Sequence, residues 1–183
     1  MTEFAKTKGR PGDNLVRLVL WGGAAALLAT QLVAMRFMDG VNWTASDFAL
    51  MGVMMAIPLG VLEATMRTTN SLPFRAGMLV ALGAAFLITW ANLAVGVIGN
   101  ENNPLNQLVF AVLAVGVVGA FVARFRPGGL ALAMVATAVA QGAVAVVALI
   151  YGYNTVPLIG VFVLAWLLSA WLFRKSAQER VSV

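Results

Sequence analysis

Six stretches of the chain are apolar on nearly every face. They cover residues 16–37, 47–66, 76–99, 106–123, 129–152 and 156–173, separated by charged or turn-forming residues. A spanning helix needs about 20 mostly apolar residues, and each stretch is of that order. The last two stretches need a divider. From Pro127 to Phe173 there is no charge, and one unbroken helix of that length would reach about 70 Å at ~1.5 Å per residue. Gly152-Tyr153-Asn154-Thr155-Val156-Pro157 is the turn-like break near the middle, so the chain is expected to fold back there. The pattern predicts an all-α, polytopic transmembrane helical bundle of six spans over residues 16–173. Tails are expected over 1–15 and 174–183.

Composition strengthens the case for lipid as the solvent. Hydrophobic residues make up 61% of the 183 positions and charged residues 10%, against roughly 25% charged in a soluble domain. A water-soluble fold would need polar faces that these stretches lack. The first stretch follows Lys6, Lys8, Arg10 and Arg17, as a signal peptide would. The small-residue pair that precedes a cleavage site is missing near its end, so an uncleaved span is expected.

The basic residues give an orientation. Lys6, Lys8, Arg10, Arg17, Arg67, Arg75, Arg124, Arg126, Arg174, Lys175 and Arg180 all fall on one side of a six-span arrangement. Arg36 falls on the other, with Asp39, Asp47 and Glu101. The positive-inside rule then predicts two cytoplasmic ends. Trp43, Tyr151 and Tyr153 suit the outer interface, and Trp171 the inner one. The net charge of +5 therefore serves topology. No basic stripe interleaved with aromatics marks a nucleic-acid surface.

Chemistry is constrained by what is missing. The chain has no cysteine and no histidine. That removes disulfides, thiol nucleophiles, the commonest haem and zinc ligands and the usual general base near neutral pH. No cofactor or metal is expected. No nucleophile elbow, phosphate-binding glycine loop or dinucleotide fingerprint is present. An enzyme would have to work from Glu63, Asp47 or Glu101 without a histidine partner.

Three spans share a frame that raises a duplicated two-helix repeat. Asp47, Asn106 and Asn154 each lie twenty residues before an arginine, namely Arg67, Arg126 and Arg174. Asp or Asn would cap the outer helix start, and Arg would sit at the inner end where the dipole favours it. Gly60 also corresponds to Gly119, and Ala64 to Ala123. Common anchoring needs explain the same pattern without duplication. A true parallel repeat would put a transport site at the repeat interface.

Small residues recur four apart at Gly22-Ala26, Gly77-Ala81-Ala85 and Ala136-Ala140. In lipid, close backbone approach holds helices together. The fifth span, nearly all Ala, Val and Gly around Gln141, is expected at the centre of contacts.

Polar groups at membrane depth are the functional candidates. Glu63 is the one carboxylate well inside a predicted span, one turn before Arg67, at the spacing that puts both on one face. It reads either as a proton-coupling group or as a local ion pair with Arg67 near the headgroups. Pro58 could kink this span and free a carbonyl. Asn92 and Gln141, with Gln31, read as interhelix glue or as the lining of a polar path. Asn100, Glu101 and Asn103 crowd one outer loop. They read as a weak cation site or as turn formers and caps.

The core Trp90-Ala91-Asn92-Leu93-Ala94-Val95-Gly96-Val97-Ile98-Gly99-Asn100-Glu101-Asn102-Asn103-Pro104 resembles a family of small bacterial inner-membrane proteins. Gly116-Val117-Val118-Gly119-Ala120-Phe121-Val122-Ala123-Arg124-Phe125-Arg126-Pro127 extends the likeness. Members share a W-x-N-L-A-V-G-x-I-G-x-E-x-N-P core, and the likeness covers roughly the second to fifth spans. Asn102 stands where an acidic residue is expected, which weakens a metal role for the loop. The resemblance implies a bacterial inner membrane and carries no assigned activity. Two functions follow as expectations. One is a small-solute or ion carrier or channel-like protein. The other is an accessory subunit that packs against other membrane proteins or against itself. A lipid-handling enzyme is the remaining class.

Overall fold

The computed structural model describes residues 12–38 and 40–179, and these contain six long helices and no strand. All six are long and apolar enough to cross a membrane, so this is a multi-pass integral membrane protein. Lys6, Lys8, Arg10, Asp39 and Arg180 lie outside the described residues. The chain divides into two compact units, Met1–Asn70 and Ser71–Val183.

The first unit is a helical hairpin of α1 (Asp13–Phe37) and α2 (Ala45–Thr68). Arg17, near the start of α1, meets Glu63, near the end of α2, so the two run antiparallel. The start of α2 is a full capping box. The Thr44 hydroxyl accepts from the Asp47 N–H at 3.3 Å, and the Asp47 carboxylate accepts from the Thr44 N–H at 2.7 Å. Trp43 packs on Phe48 with ring centroids 5.2 Å apart, the staple that often accompanies such a box. Asp47 is thus the third residue of the helix and Thr44 its cap, which corrects the expected cap. The helix continues unbroken through Pro58.

The second unit holds α3 (Leu72–Ala94), α4 (Gln107–Val122), α5 (Pro127–Ile150) and α6 (Val156–Glu179). Ser71 caps α3 through the Phe74 N–H, and Pro73 occupies the first turn, so the helix begins before residue 76. It ends at Ala94, because Gly96 takes φ +74°. A single 3₁₀ turn, Pro104–Asn106, leads into α4 and is capped by Asn103 rather than by Asn106. Asn154 is exposed and lies before α6, whose first backbone bond runs from the Ile159 N–H to the Thr155 carbonyl. The shared twenty-residue frame is therefore not filled by one repeated cap, since neither Asp47 nor Asn106 caps its helix through its side chain. α6 runs past Phe173, so Arg174 and Lys175 are helical. The Lys175 ammonium stands 5.7 Å from the Trp171 ring centre.

The helices of this unit pack in the order α3–α6–α5–α4. The fifth span thus shares the centre with the sixth. Their seam is legible in which residues are buried. On α5 these include Leu130, Met134, Thr137, Gln141, Val144 and Ala148. On α6 they include Ile159, Phe162, Trp166, Ser169, Phe173 and Ser176. Both rows alternate steps of three and four, averaging about 3.5 residues, the repeat that keeps a seam turned to its partner. α3 meets α6 antiparallel, through Ser71 on Ser176 at 3.0 Å and Phe74 against Phe173 with centroids 5.3 Å apart. Farther along, the Ser169 hydroxyl donates to the Gly77 carbonyl at 2.8 Å. A Cβ at Gly77 would come within 3.2 Å of the Phe173 ring. α4 meets α5 the same way. Built Cβ atoms would lie 3.1 Å from Thr137 at Gly116 and 2.8 Å from Ala133 at Gly119. Within the first unit, Gly60 has no atom within 4 Å of such a Cβ, so its correspondence with Gly119 is not one of packing.

Candidate functional site

Charge at membrane depth collects in the first unit. One oxygen of Glu63 receives the Arg67 Nε at 2.8 Å and the same guanidinium's terminal nitrogen at 2.7 Å. The Arg17 Nε stands 3.1 Å from that oxygen, in ion-pair contact but without hydrogen-bond alignment. The helical spacing of Glu63 and Arg67 did what it promised, and Arg17 is the partner that sequence reasoning missed. Only the hairpin brings α1 across to α2. The Arg67 side chain is 67% exposed, so its share of stability is small, at most a few tenths of a kcal/mol for an exposed i, i+4 pair.

The other candidates lie in the second unit and fall into two groups. Asn92, Asn100 and Asn103 belong to a knot of backbone and amide groups that closes the 95–106 loop. Asn92 donates to the Asn106 carbonyl at 3.2 Å. Asn106 accepts from the Ile98 N–H at 2.8 Å and donates to the Asn100 carbonyl at 2.6 Å. The Asn100 side chain accepts from the Asn102 N–H, and the Asn103 side chain from the Leu105 N–H, both at 3.0 Å. Glu101 is exposed, with the Asn102 amide 3.5 Å away. Two of the oxygens that a cation would need are thus already engaged by the backbone. No group of three or more acidic residues gathers among the described residues. The loop presses Val97 and Ile98 inward, the latter with no exposure. Tyr153 of the α5–α6 turn covers Gly99. This loop seals one end of the unit.

Gln141 stands apart from the knot. It lies near the middle of α5, has no solvent exposure, and neither its amide oxygen nor its nitrogen has a hydrogen-bond partner in the protein. An unmet amide in an apolar interior costs roughly 1–3 kcal/mol on mutational scales. Trp166 of α6 is 3% exposed and its indole N–H is also unpartnered. The short 151–155 connection fixes the register of α5 against α6. It sets Gln141 and Trp166 at nearly equal distances along their helices from the turn. One turn farther from that connection lie Thr137 and Ser169, both fully buried. Toward the loop, the Asn92 oxygen and the Thr155 hydroxyl are buried without partners as well. At the other end is Ser176, paired with Ser71.

The buried edge of α6, with the residue just before it, therefore carries polar groups at 155, 166, 169 and 176. At ~1.5 Å per residue that series covers about 31 Å, close to the thickness of the hydrocarbon layer. Sequence reading found Asn92 and Gln141 but missed Trp166, Thr137, Ser169, Thr155 and Ser176. The usable signal was the recurrence of polar residues three and four apart on α5 and α6. The hydroxyls elsewhere are self-satisfied. Thr30, Thr65, Thr68 and Thr89 each donate to a carbonyl one turn back, the ordinary resolution for such side chains in a helix.

Comparisons with protein-family models, with curated proteins and with solved structures returned no match to this chain.

Proposed function

We propose that this protein is a carrier or channel-like protein of a bacterial inner membrane, with both ends in the cytoplasm. Its path for a small solute follows the α3–α6–α5 seam of the second unit. The observation that carries this reading is Gln141, fully buried at mid-helix with its amide unpartnered. A membrane protein that needed only packing would fill this position with Ala or Val, as it does at the buried positions Ala138 and Val144. The polar series along α6 supports the same path. The orientation is supported by the basic residues that crowd one side of the six-span arrangement. The likeness of residues 90–104 to small bacterial inner-membrane proteins fits the same location.

Glu63 drops out of the path in this reading. Arg17 and Arg67 give it a local partner set, and the seam lies in the other unit. The test is reconstitution into proteoliposomes with a panel of small polar solutes and ions. Entry faster than into empty vesicles supports the reading, and entry no faster for every member of the panel sinks it.

One observation favours the accessory-subunit reading. Within the first unit, Gly22, Gly23, Gly52 and Gly60 have no atom within 4 Å of a built Cβ. These small-residue surfaces are not used in closing the α1–α2 hairpin and would suit a helix of another membrane protein. Mild detergent extraction and native electrophoresis separate the two. A lone monomer that is active in vesicles excludes the accessory role.

A further inference from the structure

We propose that Gln141 and Trp166, with Thr137 and Ser169 one turn away, form a binding site for a small uncharged molecule that both donates and accepts hydrogen bonds. The site deepens the carrier reading and rests on it. Its chemistry follows from the inventory of groups. The Gln141 amide offers one oxygen as acceptor and one NH₂ as donor, and the indole of Trp166 offers a donor only. All three atoms are buried and make no hydrogen bond within the protein. Thr137 donates its hydroxyl hydrogen to the Ala133 carbonyl, and Ser169 donates to the Gly77 carbonyl, each at 2.8 Å. What these hydroxyls retain is acceptor capacity. Gln141 and Trp166 thus bring donors and an acceptor to neighbouring levels of α5 and α6, with Thr137 on the flank that meets α4 and Ser169 on the flank that meets α3.

Charge is absent from the set. α4 and α5 contain no Asp, Glu, Lys or Arg. The charges of α3 and α6 are Arg75, Arg174, Lys175 and Glu179, all toward the ends far from the 95–106 loop. An ion at the Gln141 level would exchange its hydration for a few neutral dipoles and no countercharge, at heavy desolvation cost. A hydroxyl or urea-type group exchanges hydrogen bonds with water for hydrogen bonds with the seam. The nearest buried residues on either side of Gln141 along α5, Ala138 and Val144, are small, which suits a ligand of few atoms.

The test uses the full chain in proteoliposomes, with glycerol and urea as neutral probes and sodium and chloride as ionic ones. Osmotic swelling by stopped-flow light scattering reads the first pair, and ion-sensitive dyes read the second. The expected result is glycerol or urea entry above that of empty vesicles. That entry should fall about tenfold in Gln141→Leu, the effect of one lost buried hydrogen bond. Trp166→Phe keeps an aromatic ring and removes only the N–H donor. It supplies the same test should Gln141→Leu fail to elute as the wild type does on size exclusion, and it should slow entry of the same probe. Neutral entry indifferent to both substitutions overturns the site. Sodium or chloride flux without neutral entry also overturns the site, and leaves the carrier reading standing. No flux of any probe overturns both.

Discussion

Gly96 and Gly99 account for much of the distinctive core at residues 90–104. Gly96 has φ +74°, and a Cβ there would sit 2.4 Å from the Asn100 carbonyl group. Gly99 has φ +73° beneath the Tyr153 ring. A side chain at Gly96 meets backbone, which cannot step aside. Gly96→Ala should therefore lower stability by about 2–4 kcal/mol, combining a disfavoured φ with a backbone clash. Thermal unfolding in detergent measures this. Gly142→Ala is the matched control. It lies inside α5 with open space around its Cβ, so alanine should be neutral or add up to about 1 kcal/mol from helix propensity. The sequence made the glycines, Asn92 and Gln141 visible as residue types. It did not reveal that Asn106 is the hub of the loop, because nothing in the spacing says which amide turns back on Ile98 and Asn100. Glu63 gives a further prediction. Glu63→Gln should leave solute entry into vesicles unchanged, since its oxygen serves Arg17 and Arg67. A fall of tenfold or more would return that carboxylate to the transport path.

At the scale of elements, the six spans were readable because length and apolarity are properties of a stretch, not of its neighbours. Their ends were less so. Ser71 and Thr44 cap helices a few residues before the hydrophobic runs begin. α6 continues well past the last apolar residue because nothing in Arg174, Lys175 or Ser176 breaks a helix. Partner choice was the least readable, since every span is apolar all round. It is decided by where small residues let backbones close in. The α4–α5 contact allows a direct check. A Cβ at Gly119 would lie 2.8 Å from that of Ala133, so Gly119→Ala alone should destabilise by about 1–3 kcal/mol through overpacking. Ala133→Gly alone should cost about 1 kcal/mol in helix propensity. The double substitution moves the methyl across the interface and restores the gap. Its loss should therefore be smaller than the sum of the two by about 1 kcal/mol or more, as for residues in contact. Additive losses, measured by the same unfolding assay, would mean that the two helices are not apposed there.

For the whole molecule, each unit has its own polar feature. The first unit joins Arg17, Glu63 and Arg67 in an ion triad across its hairpin. The second has a neutral polar seam along α6 and closes one end with the 95–106 loop. The basic residues predict the threading. The loop end is poor in cations, whereas the other end carries Arg75, Arg124, Arg126, Arg174 and Lys175. Moving such a set across the bilayer would strand several cations on the outer side, against the bias that orients polytopic proteins during insertion. The absence of cysteine makes the prediction simple to test. Single cysteines at Asn102 and Asn154, both exposed at the loop end, should react with a membrane-impermeant maleimide in intact cells. Thr68→Cys and Gly128→Cys, also exposed, should react only after the cells are opened. None of the four removes a charge, so the threading signal itself is left intact. Labelling of Gly128→Cys from outside would reverse the second unit. Labelling of Thr68→Cys alone would mean that the first hairpin threads opposite to the rest. That outcome would detach the positive-inside argument from the first unit while leaving the neutral seam of the second as a path.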